Sequence, residues 1–125
     1  MVQGAIVRGI RGAIDVAVND PGEILEATKQ LLLEMTAGNT INLEDICAVY
    51  FTMTQDLNAV HPAEAARQLG WKYVPLFCSL EIDVPGSLPR CIRVLMLANS
   101  SKKPEEIRHF YLKGAANLRQ DLLTD

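Results

Sequence analysis

The chain has 125 residues, 49% hydrophobic and 22% charged, which is enough apolar material for one packed domain and too much for disorder. Its net charge of −3, with no basic run and no interleaving of aromatic and basic residues, gives no footprint for nucleic-acid binding. Seven of the twelve cations are arginines, whose planar fork suits two-pronged recognition of carboxylate or phosphate. Cys47, Cys78 and Cys91 form no CxxC pair and the two histidines are far apart, so neither a disulfide framework nor a metal site is indicated. No apolar run approaches a membrane span and the first residues carry no charged leader region, so a soluble cytoplasmic protein with no membrane partner is expected.

Residues 5–14, AIVRGIRGAI, read as a first strand, with Gly9 and Gly12 allowing close backbone approach. Arg8 and Arg11 lie three apart and point to opposite faces, so one of them meets a core, a subunit interface or a ligand. A helix follows, with Asp20 as N-cap, Pro21 at its first position and Glu23 in capping-box spacing. Ile24, Leu25, Thr28, Leu31, Leu32 and Met35 form its apolar stripe, and Gly38 with Asn39 can end it. Residues 46–53, ICAVYFTM, are nearly continuously apolar, which predicts a strand covered on both faces. The polar stretch TQDLNAVHP leads to a short helix over 62–69, stopped by Gly70, with the weak anchoring of a lid.

Residues 71–97 contain two further strands, about 73–78 and 91–97, joined through Pro85, Gly86 and Pro89. In the second of them a period of two puts Cys91, Arg93, Leu95 and Leu97 on one face and Ile92, Val94 and Met96 on the other. Arg93 is thus surrounded by apolar neighbours and needs an anion, since an unpaired buried guanidinium costs several kcal/mol. Glu81 and Asp83 are the nearest carboxylates in sequence. Either Arg93 and Glu81 form a structural salt bridge, or they are the fixed cation and fixed acceptor of a ligand site. A final helix is expected from Pro104, with Glu105 and Glu106 in its first turn and Ile107, Tyr111 and Leu112 on its buried side. The order β-α-β-α-β-β-α predicts an α/β (α+β) mixed sheet with helices packed on it, one domain over 1–125.

There is no GxSxG elbow, no phosphate-binding glycine loop and no histidine pair at metal spacing. Cys78 as a nucleophile would need a partner base, and a buried inert thiol is its ordinary state.

The segments RGIRGA (8–13), EILEATKQLL (23–32), DLNAVHPAEAARQLGWKYVP (56–75), CSLEIDVPGSLPRCIRV (78–94) and IRHFYLKGAANLRQDL (107–122) resemble the monofunctional chorismate mutases of the AroH class, in order and over nearly the whole chain. The resemblance implies a Bacillus chorismate mutase-like fold, a homotrimer forming a pseudo-barrel with active sites at subunit interfaces, and cofactor-free rearrangement of chorismate to prephenate on the route to phenylalanine and tyrosine. By motif position it implies that Arg93 donates to the ether oxygen and that Glu81, aided by Cys78, accepts from the substrate hydroxyl. It implies that Arg11 meets a carboxylate beside Tyr111, that Arg67 approaches from the short helix, and that Leu118 and Arg119 cover the site from the tail. Leu76, Phe77 and His61 would complete the rim. His61, Glu64 and Phe77 depart from the phenylalanine, lysine and small polar residue frequent in that family. Two other readings compete with catalysis: a regulatory domain using the same arginines to bind an amino acid or keto acid, and a structural domain in which each inward arginine is half of a salt bridge.

Overall fold

A computed structural model describes residues 4–118. Five strands, β1 (Ile6–Asp15), β2 (Ile46–Met53), β3 (Leu76–Leu80), β4 (Cys91–Ser100) and β5 (Phe110–Leu112), form one mixed sheet in the order β3-β2-β4-β1-β5. Helix α1 (Pro21–Asn39) and the short helix α2 (Ala63–Gln68) accompany them, with single 3-10 turns at Leu43–Asp45, Pro104–Glu106 and Lys113–Asn117. Strand β4 is antiparallel to β1 and β2 on either side, while the edge strands β5 and β3 join β1 and β2 in parallel. No helix among the described residues is long and apolar enough to cross a membrane.

Helix α1 starts as its sequence dictates. The Asp20 carboxylate accepts from the Glu23 N–H at 3.1 Å, and Pro21 occupies a position whose amide would have no helical partner. It ends one residue later than expected, on Thr40 in the left-handed region (φ 54°). Gly38 serves packing instead, since a Cβ there would lie 2.2 Å from Cζ of Phe110. Gly12 does the same for β1, where a Cβ would lie 2.5 Å from Sδ of Met35. The two glycines let α1 lie close against β1 and β5, and Ile10, Ile14, Ile24, Leu31, Leu32, Met35, Val49, Phe51, Ile92 and Met96 are fully buried between helix and sheet.

The opposite face of the sheet carries no α-helix among the described residues. Strand β2 was expected to be covered on both sides, yet Val49 and Phe51 are buried while Tyr50 between them is 43% exposed. Likewise Ile92, Val94 and Met96 are buried and Arg93 and Leu95 are exposed, so the apolar neighbours of Arg93 along the chain point away from it. A continuous apolar run does not distinguish cover by the same chain from a face left for something else.

The expected helix from Pro104 stops after one turn. The Asn39 side chain takes the backbone of Arg108 on both sides, accepting from its N–H (2.8 Å) and donating to its carbonyl (2.9 Å), so that residue cannot continue a helical ladder. The chain then extends as β5, with Ala13 opposite Tyr111. Strand β3 begins after Pro75 rather than at Tyr73, which is 89% exposed. Gly38→Ala is expected to destabilise the fold by about 1–3 kcal/mol through this crowding, read as a lower urea midpoint; an unchanged midpoint would show that Phe110 moves aside freely.

Candidate active site

The register of the sheet assembles a cleft of about 370 Å³ on its open face, bounded by Arg11, Tyr50, Thr52, Glu81, Arg93 and Tyr111. Arg93 stands opposite Thr52, and Arg11 opposite Leu95, so β1, β2 and β4 contribute side chains at one level. Glu81 reaches the same place because β3 runs parallel to β2 as far as Leu80–Met53, and the Glu81 N–H donates to the Met53 carbonyl at 2.9 Å. Tyr111 arrives on β5 with its side chain packed among Ala13, Cys91 and Ala115, and Leu118 packs against the same group. Arg8, on the other parity of β1, donates through Nε to the Lys102 carbonyl at 2.8 Å, which leaves Arg11 as the β1 cation of the cleft.

The electrostatic centre is a triad of side chains. Thr52 Oγ1 donates to Glu81 Oε1 at 2.5 Å, and Arg93 Nε lies 3.8 Å from that same oxygen. The second distance is an ion pair without a hydrogen bond. Arg93 is 46% exposed and Glu81 28%, so the pair contributes little to stability. This geometry does not fit the closed structural salt bridge that the sequence left open, and it leaves a cation and an acceptor side by side facing the cleft. Thr52 and Tyr50 were not singled out in the sequence. Thr52 is the one hydroxyl-bearing member of ICAVYFTM besides Tyr50, but only the pairing with β4 shows what it holds.

Other residues named from the resemblance lie elsewhere in the chain. His61 and Cys78 line a second cavity of about 500 Å³, together with Met53, Leu57 and Leu80, which shares no lining residue with the first. Cys78 stands opposite Phe51, on the helix-covered side of the sheet, and therefore away from Arg93. Leu76 packs against the main core on that side, whereas Phe77 is 64% exposed on the open side, with its ring edge-on to Tyr50 at 6.3 Å. Arg67 is exposed on α2 and donates to Glu64 at 3.0 Å, bordering neither cavity. Arg119 lies outside the described residues.

Beneath the cleft Cys91 is buried, and burial pushes its thiol up from 9.0 to about 11, partly offset by the Arg93 guanidinium and reinforced by Asp15 and Glu81. A thiol of this kind packs and does not attack. Because the folded state keeps a proton that the unfolded chain releases first, the contribution of Cys91 to stability is full below 9.0 and is lost as pH rises through about 11. Urea unfolding of wild type and Cys91→Ala across that interval is expected to give a steeper alkaline decline for wild type; parallel curves would contradict the assignment.

The chorismate mutase type I family model matches residues 7–122. The chain is 52% identical over 118 residues to chorismate mutase AroH of Thermus thermophilus, an alignment covering 94% of this chain and 97% of the relative. It is 45% identical over 118 residues to chorismate mutase AroH of Bacillus subtilis, covering 94% and 93%. A solved chorismate mutase from Clostridium thermocellum superposes with a TM-score of 0.85 at 48% identity, over 86% of this chain and 96% of that one. With the five-stranded mixed sheet and the cleft already described, these matches establish that the chain belongs to the chorismate mutase type I family.

Proposed function

We propose that this chain is an isomerase that rearranges chorismate to prephenate in phenylalanine and tyrosine biosynthesis. The observation that carries the reading is the open Arg93–Glu81 pair, 3.8 Å apart and partly exposed, in one cleft with Arg11 and Tyr111. Chorismate presents two carboxylates, a hydroxyl and an enol ether, and this cleft offers cations, an acceptor and a phenol. The reaction is unimolecular: the ether C–O bond breaks as a C–C bond forms, electrons move within the substrate, and no proton or external electron is required. General acid–base groups and a cofactor therefore have no step to perform.

Catalysis then consists of holding the extended dianion in its compact reactive conformer and stabilising charge where the C–O bond opens. Arg93 donates to the ether oxygen as it becomes negative, which is worth roughly 3–4 kcal/mol for one preorganised donor. Glu81, held by Thr52, accepts from the ring hydroxyl, while Arg11 with Tyr111 binds a carboxylate. Even a modest enzymatic acceleration requires about 8 kcal/mol, so conformer selection by these fixed partners supplies about half.

The proposal includes assembly as a homotrimer, a pseudo-barrel with each site shared between neighbours. Its support is the division of site residues between two separate cavities, with Arg11, Glu81, Arg93 and Tyr111 at one and His61 and Cys78 at the other. Exposed apolar groups, Tyr50 and Phe77 on the open face and Leu80 and Ile82 at and just past the end of β3, give such an assembly a surface to bury. Cys78, Leu76, Phe77, His61 and Arg67 would then reach the cleft from the adjoining subunit, with Leu118 and Arg119 closing it. The domain acts as one unit in the cytoplasm, a reducing compartment that suits its three free thiols.

Loss of chorismate absorbance in metal-free buffer, with prephenate identified as product, tests the activity, and absence of saturable turnover would overturn it. Arg93→Ala is expected to lower kcat by about 10²–10³ with the oligomer unchanged, and Thr52→Val to raise KM several-fold by releasing Glu81. Shared sites make a further expectation: unfolding and refolding Arg93→Ala together with Arg67→Ala restores part of the activity that each lacks alone. If the mixture stays as inactive as its components, the two arginines serve one chain's site.

A further inference from the structure

We infer that His109 is a positioning residue that holds Arg11 in place through a neutral imidazole, and that this contact makes the site sensitive to acid. The β1–β5 ladder runs from Gly12–Phe110 to Ile14–Leu112, so Arg11 lies one residue before it and has no β5 carbonyl as its rung. Its N–H instead donates to Nδ1 of His109 at 2.9 Å. A backbone amide can only donate, so Nδ1 carries no hydrogen and the ring is the neutral tautomer protonated at Nε2. The ring itself is well anchored. Arg108, immediately before it, is fixed on both sides of its peptide backbone by Asn39 of α1, and Phe110, immediately after it, enters the ladder.

A second proton on the ring would set N–H against N–H and break this contact at the point where β1 delivers the Arg11 side chain to the cleft. His109 itself lines a neighbouring groove with Arg8, Leu95, Pro104 and Ile107 and does not border the Arg93–Glu81 cleft. Among the described residues, the charged side chains lining that groove with it are Arg8 and Arg11 from β1. The preceding segment carries Lys102, Lys103, Glu105, Glu106 and Arg108; Glu106 is engaged by the Lys103 N–H at 2.7 Å, and Arg108 lies over the Phe110 ring at 5.2 Å. From β4 the neighbour is Leu95 and from α1 it is Asn39, neither of which titrates.

The inference rests on the proposed role of Arg11 in binding a substrate carboxylate, and its test is read both with and without substrate. Wild type is compared with His109→Asn, whose Oδ1 stands near the Nδ1 position and does not titrate, and with His109→Leu, which has no acceptor. In the unliganded protein, protection of the Arg11 amide, corrected for the intrinsic exchange rate at each pH, is expected to fall about tenfold or more in His109→Leu, and in wild type between neutral and mildly acidic buffer, while His109→Asn stays protected. In turnover, His109→Leu is expected to raise KM for chorismate about tenfold with kcat nearly unchanged, and His109→Asn to restore KM and lose the acid limb of kcat/KM. Equal protection of the Arg11 amide in all three proteins at both pH values overturns the inference, whatever the activity. If wild type does not turn over, the mutase reading fails and the exchange data alone decide the role of His109. If His109→Leu does not fold, the pH series of wild type against His109→Asn decides it, and identical acid limbs count against it.

Discussion

Strand β4 lies between β1 and β2 and is antiparallel to both, so the side to which its odd residues point is imposed across three strands. Through the pairs Arg11–Leu95 and Thr52–Arg93, one parity gathers the cation of β1, the hydroxyl of β2 and the guanidinium of β4 on the open face. The other parity sends Ile10, Ile14, Val49, Phe51, Ile92 and Met96 under α1. A slip of one residue would exchange the two sets, burying Arg93 in the core. The start of β4 is accordingly well secured: Arg90 sits in the left-handed region (φ 48°), its N–H held by the Asp56 carboxylate at 3.0 Å and the Cys91 N–H held by Thr54 Oγ1 at 3.0 Å. Such a conformation persists for a residue with a side chain because its surroundings fix it.

The parity that secures the core also leaves the polar centre unfinished. Glu81 has Thr52 as a hydrogen-bond donor and Arg93 only as a distant cation. In water such an arrangement contributes little to folding, but closed over by a substrate and excluded from solvent the same charges act far more strongly. In the proposed assembly, removal of water would come from a neighbouring subunit rather than from this chain.

Much of this was legible beforehand because it rests on local rules. The cap at Asp20, the stripe of α1, the bounds of β2 and the alternation of β4 follow from neighbours within a few residues, and Arg93 with Glu81 stood out as a cation in apolar company near an acceptor. What failed depended on distant partners. The segment after Pro104 has a helix start, but Asn39, far away in sequence, takes the Arg108 backbone and turns the chain into a strand. Thr52 and His109 look ordinary in sequence, and their roles emerge only once β2 meets β4 and β5 meets β1. The resemblance to known mutases gave Arg11 and Tyr111 their roles where strand parity had only set Arg8 against Arg11, but could not say how one chain divides its residues between two cavities.

The two edge strands join the sheet in parallel, and each brings one component of the cleft: β3 leads to Glu81 and β5 carries Tyr111. Parallel neighbours cannot be joined by a tight turn. Strand β5, only three residues long, follows β4 after the short stretch 101–109 and offers β1 the fewest rungs of any strand pair, so it adds little to hold itself until β1 and β4 have paired. The order of folding is thereby coupled to the chemistry. The antiparallel centre with α1 can form first and carry most of the core, while Glu81 and Tyr111 take their places only as the edges dock, so the polar face is the last part of the fold to become complete.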